Sequence, residues 1–217
     1  MSNVESILKE KYGFENPFKT DALAEKALHY LKKETNLLDI GCGEGADTVF
    51  FANNGFRVTA LDFNETHLDR LQTFLDDNSI KNATIVHTDI LDFQYPLNHY
   101  EVINCLLVGC CMLRSDFEAL NLKLRLTLKK GGILIMSLRN YLDPQFVDYV
   151  STEKMIEPNT FTKRDDCCEI RYYIEKNRLL ESFHDFEILY YFEGFAKDKY
   201  EEIEQHGDSY IICRKLE

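Results

Sequence analysis

Leu37-Leu38-Asp39-Ile40-Gly41-Cys42-Gly43-Glu44-Gly45-Ala46-Asp47-Thr48 sets the architecture of this chain. The stretch predicts a short buried strand over Asn36 to Ile40, a glycine turn, and a helix starting near Gly45. Glycines at alternate positions let the backbone take φ > 0 and let a ligand approach without a Cβ in the way. No Lys-Ser/Thr pair follows the last glycine, which excludes a Walker phosphate loop. A dinucleotide fingerprint needs G-x-G-x-x-G, whereas the spacing here is G-x-G-x-G, with Asp39 two residues ahead of the first glycine. A carboxylate there repels a pyrophosphate and suits a cationic ligand such as a sulfonium or an amino group.

A second element follows about twenty residues on, the spacing of a doubly wound nucleotide site. Phe56-Arg57-Val58-Thr59-Ala60-Leu61 predicts another buried strand, ending at Asp62 with Phe63 beside it. An acid at that tip is placed to hold ribose hydroxyls by accepting both of their hydrogen bonds. Ala83 to His87 predicts a third strand, leading to Asp89 and Ile90. Ligands of open α/β sheets lie beyond the carboxyl ends of the strands, so Asp39, Asp62 and Asp89 share one rim. Asp89 is the candidate acceptor for an adenine amino group, with Ile90 packing on the ring; the competing role for Asp89 is to cap its loop.

The rest of the chain continues the alternation. Tyr100 to Leu107 predicts the fourth strand, with Asn104 and Cys105 at its exit, and Ile133 to Leu138 the fifth. Thr20 is expected to cap a helix running through Leu23, Ala27, Leu28 and Leu31. Asn64 is expected to cap the helix carrying Leu68, Leu71, Phe74 and Leu75. Ser115 and Glu118 form the pattern of a capping box. Repeated β-α units imply right-handed crossovers and a parallel sheet. Phe186 to Phe192 and Ser209 to Arg214, with no helical pattern between them, predict an antiparallel hairpin closing that sheet.

A chain of 217 residues with no composition shift fits one domain. Residues 1–35 would form an N-terminal lid and helix, 36–140 the core, and 141–217 an insertion and the closing hairpin. The formal charge of −12 argues against nucleic-acid and acidic-membrane partners. No apolar run reaches the roughly 18 residues of a spanning helix, and the start lacks a basic-then-apolar signal, so a cytoplasmic protein is expected. Seven cysteines then read as free thiols, and the adjacent pairs Cys110-Cys111 and Cys167-Cys168 lack the C-x₂-C spacing of a metal site, so no metal is expected.

D-x-G-x-G-x-G followed by the acid-tipped second strand resembles the first motifs of class I S-adenosylmethionine (SAM) methyltransferases. Together with Glu10-Lys11-Tyr12-Gly13 and the tail Arg178-Leu179-Leu180 through Glu187 to Gly194, the chain resembles the tellurite-resistance methyltransferases. The resemblance implies a Rossmann-like class I methyltransferase fold: a seven-stranded, mostly parallel sheet with a C-terminal antiparallel hairpin and helices on both faces. It implies SAM as cofactor and S-adenosylhomocysteine as product, and a small-molecule substrate for a monomer or homodimer. Asp39, Gly41, Cys42, Gly43 and Gly45 would hold the methionine end, Asp62 the ribose, and Asp89 and Ile90 the adenine, with Phe63 also among the cofactor-binding residues. Asn104 and Cys105 would face the place where methyl donor and acceptor meet. Tyr12 would lie over the cofactor in the lid, and His206 would bind an anionic substrate or act as an acid-base group. The family tail carries basic or histidine residues before the last strand; only His206 fits that here.

Methyl transfer from a sulfonium is an in-line displacement whose donor is already activated, so the protein mainly holds the acceptor near the methyl carbon. Oxygen and amine acceptors need a base, and no His-Asp dyad is apparent near the fourth strand. The sequence therefore favours a soft acceptor such as tellurite, selenite or a thiol, with Cys110 and Cys111 as candidate metalloid ligands; the competing role for both cysteines is that of small buried apolar residues. The rival readings are a SAM or nucleotide sensor without turnover and an NAD-dependent oxidoreductase.

Overall fold

The computed structural model describes residues 10–12, 19–162, 169–197 and 205–216. Gly13, the Cys167-Cys168 pair and most of the acidic loop before the last strand lie outside them. Ten strands are described, β1 (Asn36–Ile40), β2 (Arg57–Asp62), β3 (Ala83–His87), β4 (Tyr100–Leu106), β5 (Leu128–Arg139), β6 (Met155–Glu157), β7 (Thr160–Thr162), β8 (Ile170–Tyr172), β9 (Phe186–Lys197) and β10 (Gln205–Lys215). Seven of them form one sheet in the order β3-β2-β1-β4-β5-β10-β9. The β1–β2, β2–β3 and β4–β5 pairs are parallel, and β10 runs antiparallel to both β5 and β9. This is the class I methyltransferase fold, with the expected hairpin at its end. The chain divides into two compact units, residues 1–94 and 95–217.

In the first unit, α1 (Ala22–Ala27) precedes β1, α2 (Ala46–Asn53) joins β1 to β2, and α3 (Glu65–Asp77) joins β2 to β3. Asp21, not Thr20, caps α1, its carboxylate accepting from Leu23 N at 2.8 Å, and a 3₁₀ turn over Leu28–Tyr30 ends the helical run before Leu31. Asn64 caps α3 as expected, accepting from His67 N. Apolar spacing of three and four residues puts Leu68, Leu71 and Leu75 of α3 inward, where all three are buried. Leu71 and Leu75 meet Val49 of α2 in a cluster flanked by Cys42, Ile80 and Ile85. Each fully buried leucine contributes about 1.5–3 kcal/mol of transfer free energy. This cluster fixes α2 and α3 against their strands, and so fixes the loops at the strands' carboxyl ends.

In the second unit, α4 (Arg114–Thr127) lies between β4 and β5, and α5 (Pro144–Thr152) and α6 (Arg178–Ser182) follow. The expected capping box does not form: α4 starts at Arg114, and Ser115 instead donates its N–H and hydroxyl to Glu157 at 3.0 and 2.9 Å. A carboxylate from β6 therefore satisfies the helix end that Glu118 was expected to serve, while Glu118 pairs with Arg114 and Arg178. β6, β7 and β8 form a separate antiparallel sheet. An aromatic cluster of Tyr149, Phe161, Tyr173 and Phe146 ties α5 to it. Among the described residues no helix is long and apolar enough to cross a membrane.

Candidate functional site: a glycine loop and two rims

Gly41, Gly43 and Gly45 all have left-handed backbones, with φ of 64°, 53° and 87°. Gly45 is the N-cap of α2, and Val49 N donates to its carbonyl at 2.9 Å. A Cβ at Gly45 would stand 2.3 Å from Leu71 Cδ1, so α3 itself demands glycine there. A Cβ at Gly43 would meet nothing within 4 Å. Its surroundings are open ground, and glycine is needed there for conformation and for what approaches from outside.

Asp62 holds this loop directly, and Asp39 holds the helix that follows it. Asp39 is 2% exposed and accepts from Thr48 Oγ at 2.6 Å, which pins the first turn of α2. Asp62, 7% exposed, accepts from Gly43 N through one oxygen and from Asn64 N through the other, both at 2.8 Å. Each carboxylate oxygen has two acceptor positions, so Asp62 can hold its loop and still receive ligand hydroxyls. Burial pushes the Cys42 thiol well above its ordinary pKa, and the charges of Asp39 and Asp62 push it further. The turn thus sits in a negative field, which favours a cationic ligand and disfavours a pyrophosphate.

Asp62 pairs in register with His87, so the carboxyl ends of β2 and β3 are flush. Beyond them Phe63 stands exposed (69%), its carbonyl in contact with His87 Nε2 at 2.9 Å. Asp89 is exposed and accepts from Leu91 N at 2.8 Å, the loop-capping role, while Ile90 lies half-buried in the same turn. The structure places Tyr12 elsewhere. Its hydroxyl donates to Asp77 at 3.1 Å and its ring meets Phe74 edge-on at 5.2 Å. Asp77 is the last residue of the 13-residue α3, roughly 18 Å along the helix from the rim. In this structure Tyr12 covers the far end of α3.

In the second unit, Asn104 and Cys105 lie inside β4, both 1% exposed, paired with Ile135 and Met136 of β5. The rim begins after Leu106. Leu107 takes a left-handed backbone (φ 58°) that costs a non-glycine residue about 1–2 kcal/mol, and its N–H is held by the Ser137 carbonyl at 3.0 Å. Its carbonyl accepts from Cys110 Sγ at 2.8 Å and from Cys111 Sγ at 3.8 Å. At the carboxyl end of β5, Arg139 Nη1 donates to both carboxylate oxygens of Asp208, at 2.8 and 3.0 Å, and Tyr210 donates to the same carboxylate. Burial alone would lower the Arg139 pKa, but Asp208 outweighs it and raises it; burial raises that of Asp208 despite Arg139.

His206 lies on this rim, two residues before the Asp208 that pairs with Arg139 in register. Its Nδ1 is 3.0 Å from Asp143 Oδ2, and Asp143 is 1% exposed. The same carboxylate accepts from Gln145 N at 2.9 Å, capping α5, and from Gly207 N at 3.2 Å. A His-Asp dyad therefore exists between β10 and the start of α5, not beside the fourth strand, where the sequence shows none. Its partners are 63 residues apart, beyond the reach of any local pattern. The sequence reading also missed Thr48, Asn64's place in the Asp62 network, and the Arg139–Asp208 pair. The first had a signal: a threonine in the opening turn of a helix whose preceding strand ends in an acid. Among the described residues no cluster of three or more His, Cys, Asp or Glu side chains is arranged to hold a metal.

Residues 37–132 match the methyltransferase-domain family. Among curated proteins, the ubiquinone biosynthesis O-methyltransferase of Rickettsia bellii is 30% identical over 127 residues, 58% of this chain and 51% of that protein. The chain spans about half or less of the length of the curated relatives it matches. Among solved structures, a SAM-dependent methyltransferase of Methanosarcina mazei superposes with a TM-score of 0.74 at 17% identity, covering 88% of this chain and 97% of that one. TehB of Haemophilus influenzae gives 0.70 at 17% identity over 97% of this chain and 66% of its own. The 1,6-didemethyltoxoflavin-N1-methyltransferase of Burkholderia thailandensis, crystallised with bound 1,6-didemethyltoxoflavin and S-adenosylhomocysteine, gives 0.67 at 15% over 100% and 87%. The fold is shared with all three. The matched segment contains the glycine loop and all three rim acids, Asp39, Asp62 and Asp89.

Proposed function

We propose that the chain is a SAM-dependent methyltransferase that methylates a small molecule. The observation that carries the reading is the glycine loop: three left-handed glycines in a negative field, locked by Asp62 through Gly43 N and Asn64 N. The donor set fits SAM, whose methionine end is cationic at sulfur and nitrogen. The backbone of Gly41 to Gly45, including Cys42, would hold that end, with buried Asp39 supplying charge from behind. Asp62 would receive the ribose hydroxyls, and Phe63 and Ile90 would pack on the adenine, with Asp89 accepting from its amino group. When bound, SAM supplies a methyl group already activated by its sulfonium. The chain's residues then need only orient the acceptor and exclude water.

For the acceptor, a soft nucleophile such as tellurite, selenite or a thiol remains the first reading, supported by the paired thiols on the second rim. A second reading, a hydroxyl or amine acceptor, is favoured by the Asp143–His206 dyad. A buried carboxylate holding one imidazole nitrogen orients the ring and supports a general base. That the curated relative is an O-methyltransferase fits it. We read the acidic chain as a cytoplasmic protein, monomeric or homodimeric, with no nucleic-acid partner. Tyr12 has no part in this reading. Titration with SAM and with NAD tests it: SAM binding that weakens at least tenfold in Asp62→Ala supports it, and NAD binding without SAM binding overturns it.

A further inference from the structure

The Leu107 carbonyl gathers two neighbouring thiols at the carboxyl end of β4. Cys110 is buried and Cys111 exposed, so one sulfur lies beneath the surface and the other at it, both turned to one oxygen. Arg171 of β8 brings its guanidinium to 3.5 Å from Cys111 Sγ. We infer that Cys110 and Cys111 form a dithiol site that takes a trivalent metalloid hydroxide, the arsenite class. As the place where a soft acceptor is held, the site rests on the methyl-transfer reading; as a ligand site it stands without it.

The chemistry balances without an oxidant. Each thiol gives its proton to a metalloid-bound hydroxide, which leaves as water. Two metalloid–oxygen bonds break and two metalloid–sulfur bonds form. The third hydroxide stays, and the metalloid remains trivalent. Soft thiolates prefer soft centres, and the second bond forms within the molecule once the first is made, so a pair binds far more tightly than two separate cysteines. Among the described cysteines only these two are adjacent; Cys105 and Cys213 are buried within β4 and β10. The local field helps. The hydrogen bond from Cys111 brings the Cys110 thiol down to about 7 against the effect of burial, and the charges of Arg171 and Arg139 add to it.

The test is arsenite binding by the reduced full chain, read by intact mass and by protection of cysteines from N-ethylmaleimide. One adduct is expected, arsenite less two waters, protecting Cys110 and Cys111. The Cys110→Ser, Cys111→Ser double variant should lose the adduct, with affinity weakened at least about 100-fold. The Cys167→Ser, Cys168→Ser variant should keep it. Protection of Cys167 and Cys168 instead, or an adduct that survives the first double variant, overturns the site. The protection map on the unaltered chain decides even where a variant does not fold. SAM affinity measured on the same samples separates the two claims: arsenite bound with no SAM affinity supports the dithiol site and removes the methyl-transfer reading.

Discussion

Gly43 and Gly45 are two residues apart, share a left-handed backbone, and are predicted to fail in opposite ways when given a methyl group. At Gly45 (φ 87°) an alanine meets Leu71 Cδ1 at 2.3 Å and Cδ2 at 2.6 Å. Leu71 is fully buried among Val49 and Leu75 and has nowhere to swing. The left-handed backbone costs an alanine about 1–2 kcal/mol. Overpacking a closed cluster adds about 1–3 kcal/mol. The total, about 2–5 kcal/mol, lowers Tm by roughly 10 °C at this chain length. At Gly43 only the backbone cost applies, since a Cβ there meets no atom within 4 Å. Tm should fall by only about 5 °C. The methyl group at Gly43 instead stands in the open ground over the loop, so SAM affinity should fall at least tenfold, about 1.4 kcal/mol. Differential scanning fluorimetry and SAM calorimetry on both variants read the two effects. A Gly43→Ala protein with unchanged SAM affinity, or one as destabilised as Gly45→Ala, would refute this account of the loop.

Asp62→Ala removes the acceptor of two backbone N–H groups, each charge-assisted bond worth about 1.5–3 kcal/mol. Urea unfolding should show a loss of about 3 kcal/mol, along with weakened SAM binding; a fully stable variant would mean the Gly43 and Asn64 bonds matter little. His206→Gln separates the two acceptor readings: a general base contributes about 10²–10⁴-fold to kcat. A loss of that size with a hydroxyl or amine substrate identifies the dyad as the base, whereas near-normal turnover of a metalloid keeps the soft acceptor. The ultraviolet absorbance of the Cys110 thiolate should rise as pH increases through about 7, and its midpoint should move upward in Cys111→Ala and in Arg171→Gln. Because the folded value is depressed, the stability this thiolate contributes is present above the unfolded thiol's 9.0 and lost as pH falls through about 7. An unmoved midpoint in both variants would show that neither neighbour governs that thiol.

The parts of this site legible in the sequence are those whose chemistry is local. Gly41, Gly43 and Gly45 announce a left-handed turn because few other residues tolerate it, and Asp39 and Asp62 end apolar runs that only buried strands explain. Asn64 as a cap was readable for the same reason, since its partner is three residues away. The illegible parts are contacts between distant residues. Ser115 looked like half of a capping box, yet Glu157, 42 residues on, takes its place. Asp143 caps α5 locally, and nothing nearby in sequence tells that it also holds His206. Arg139 and Asp208 find each other across 69 residues through the β5–β10 register, which the hydrophobic pattern of either strand leaves undetermined. The same kind of contact pairs His206 with Asp143 and supplies a base that a hydroxyl or amine acceptor needs.

The central claim is tested most directly by supplying SAM with a labelled methyl group together with tellurite, selenite and a panel of small thiols, hydroxyl compounds and amines. The account predicts labelled methylated product from at least one of these, with S-adenosylhomocysteine in equal amount, and loss of both in Asp62→Ala. A protein that binds no SAM, or binds it and forms no product with any of them, would contradict it.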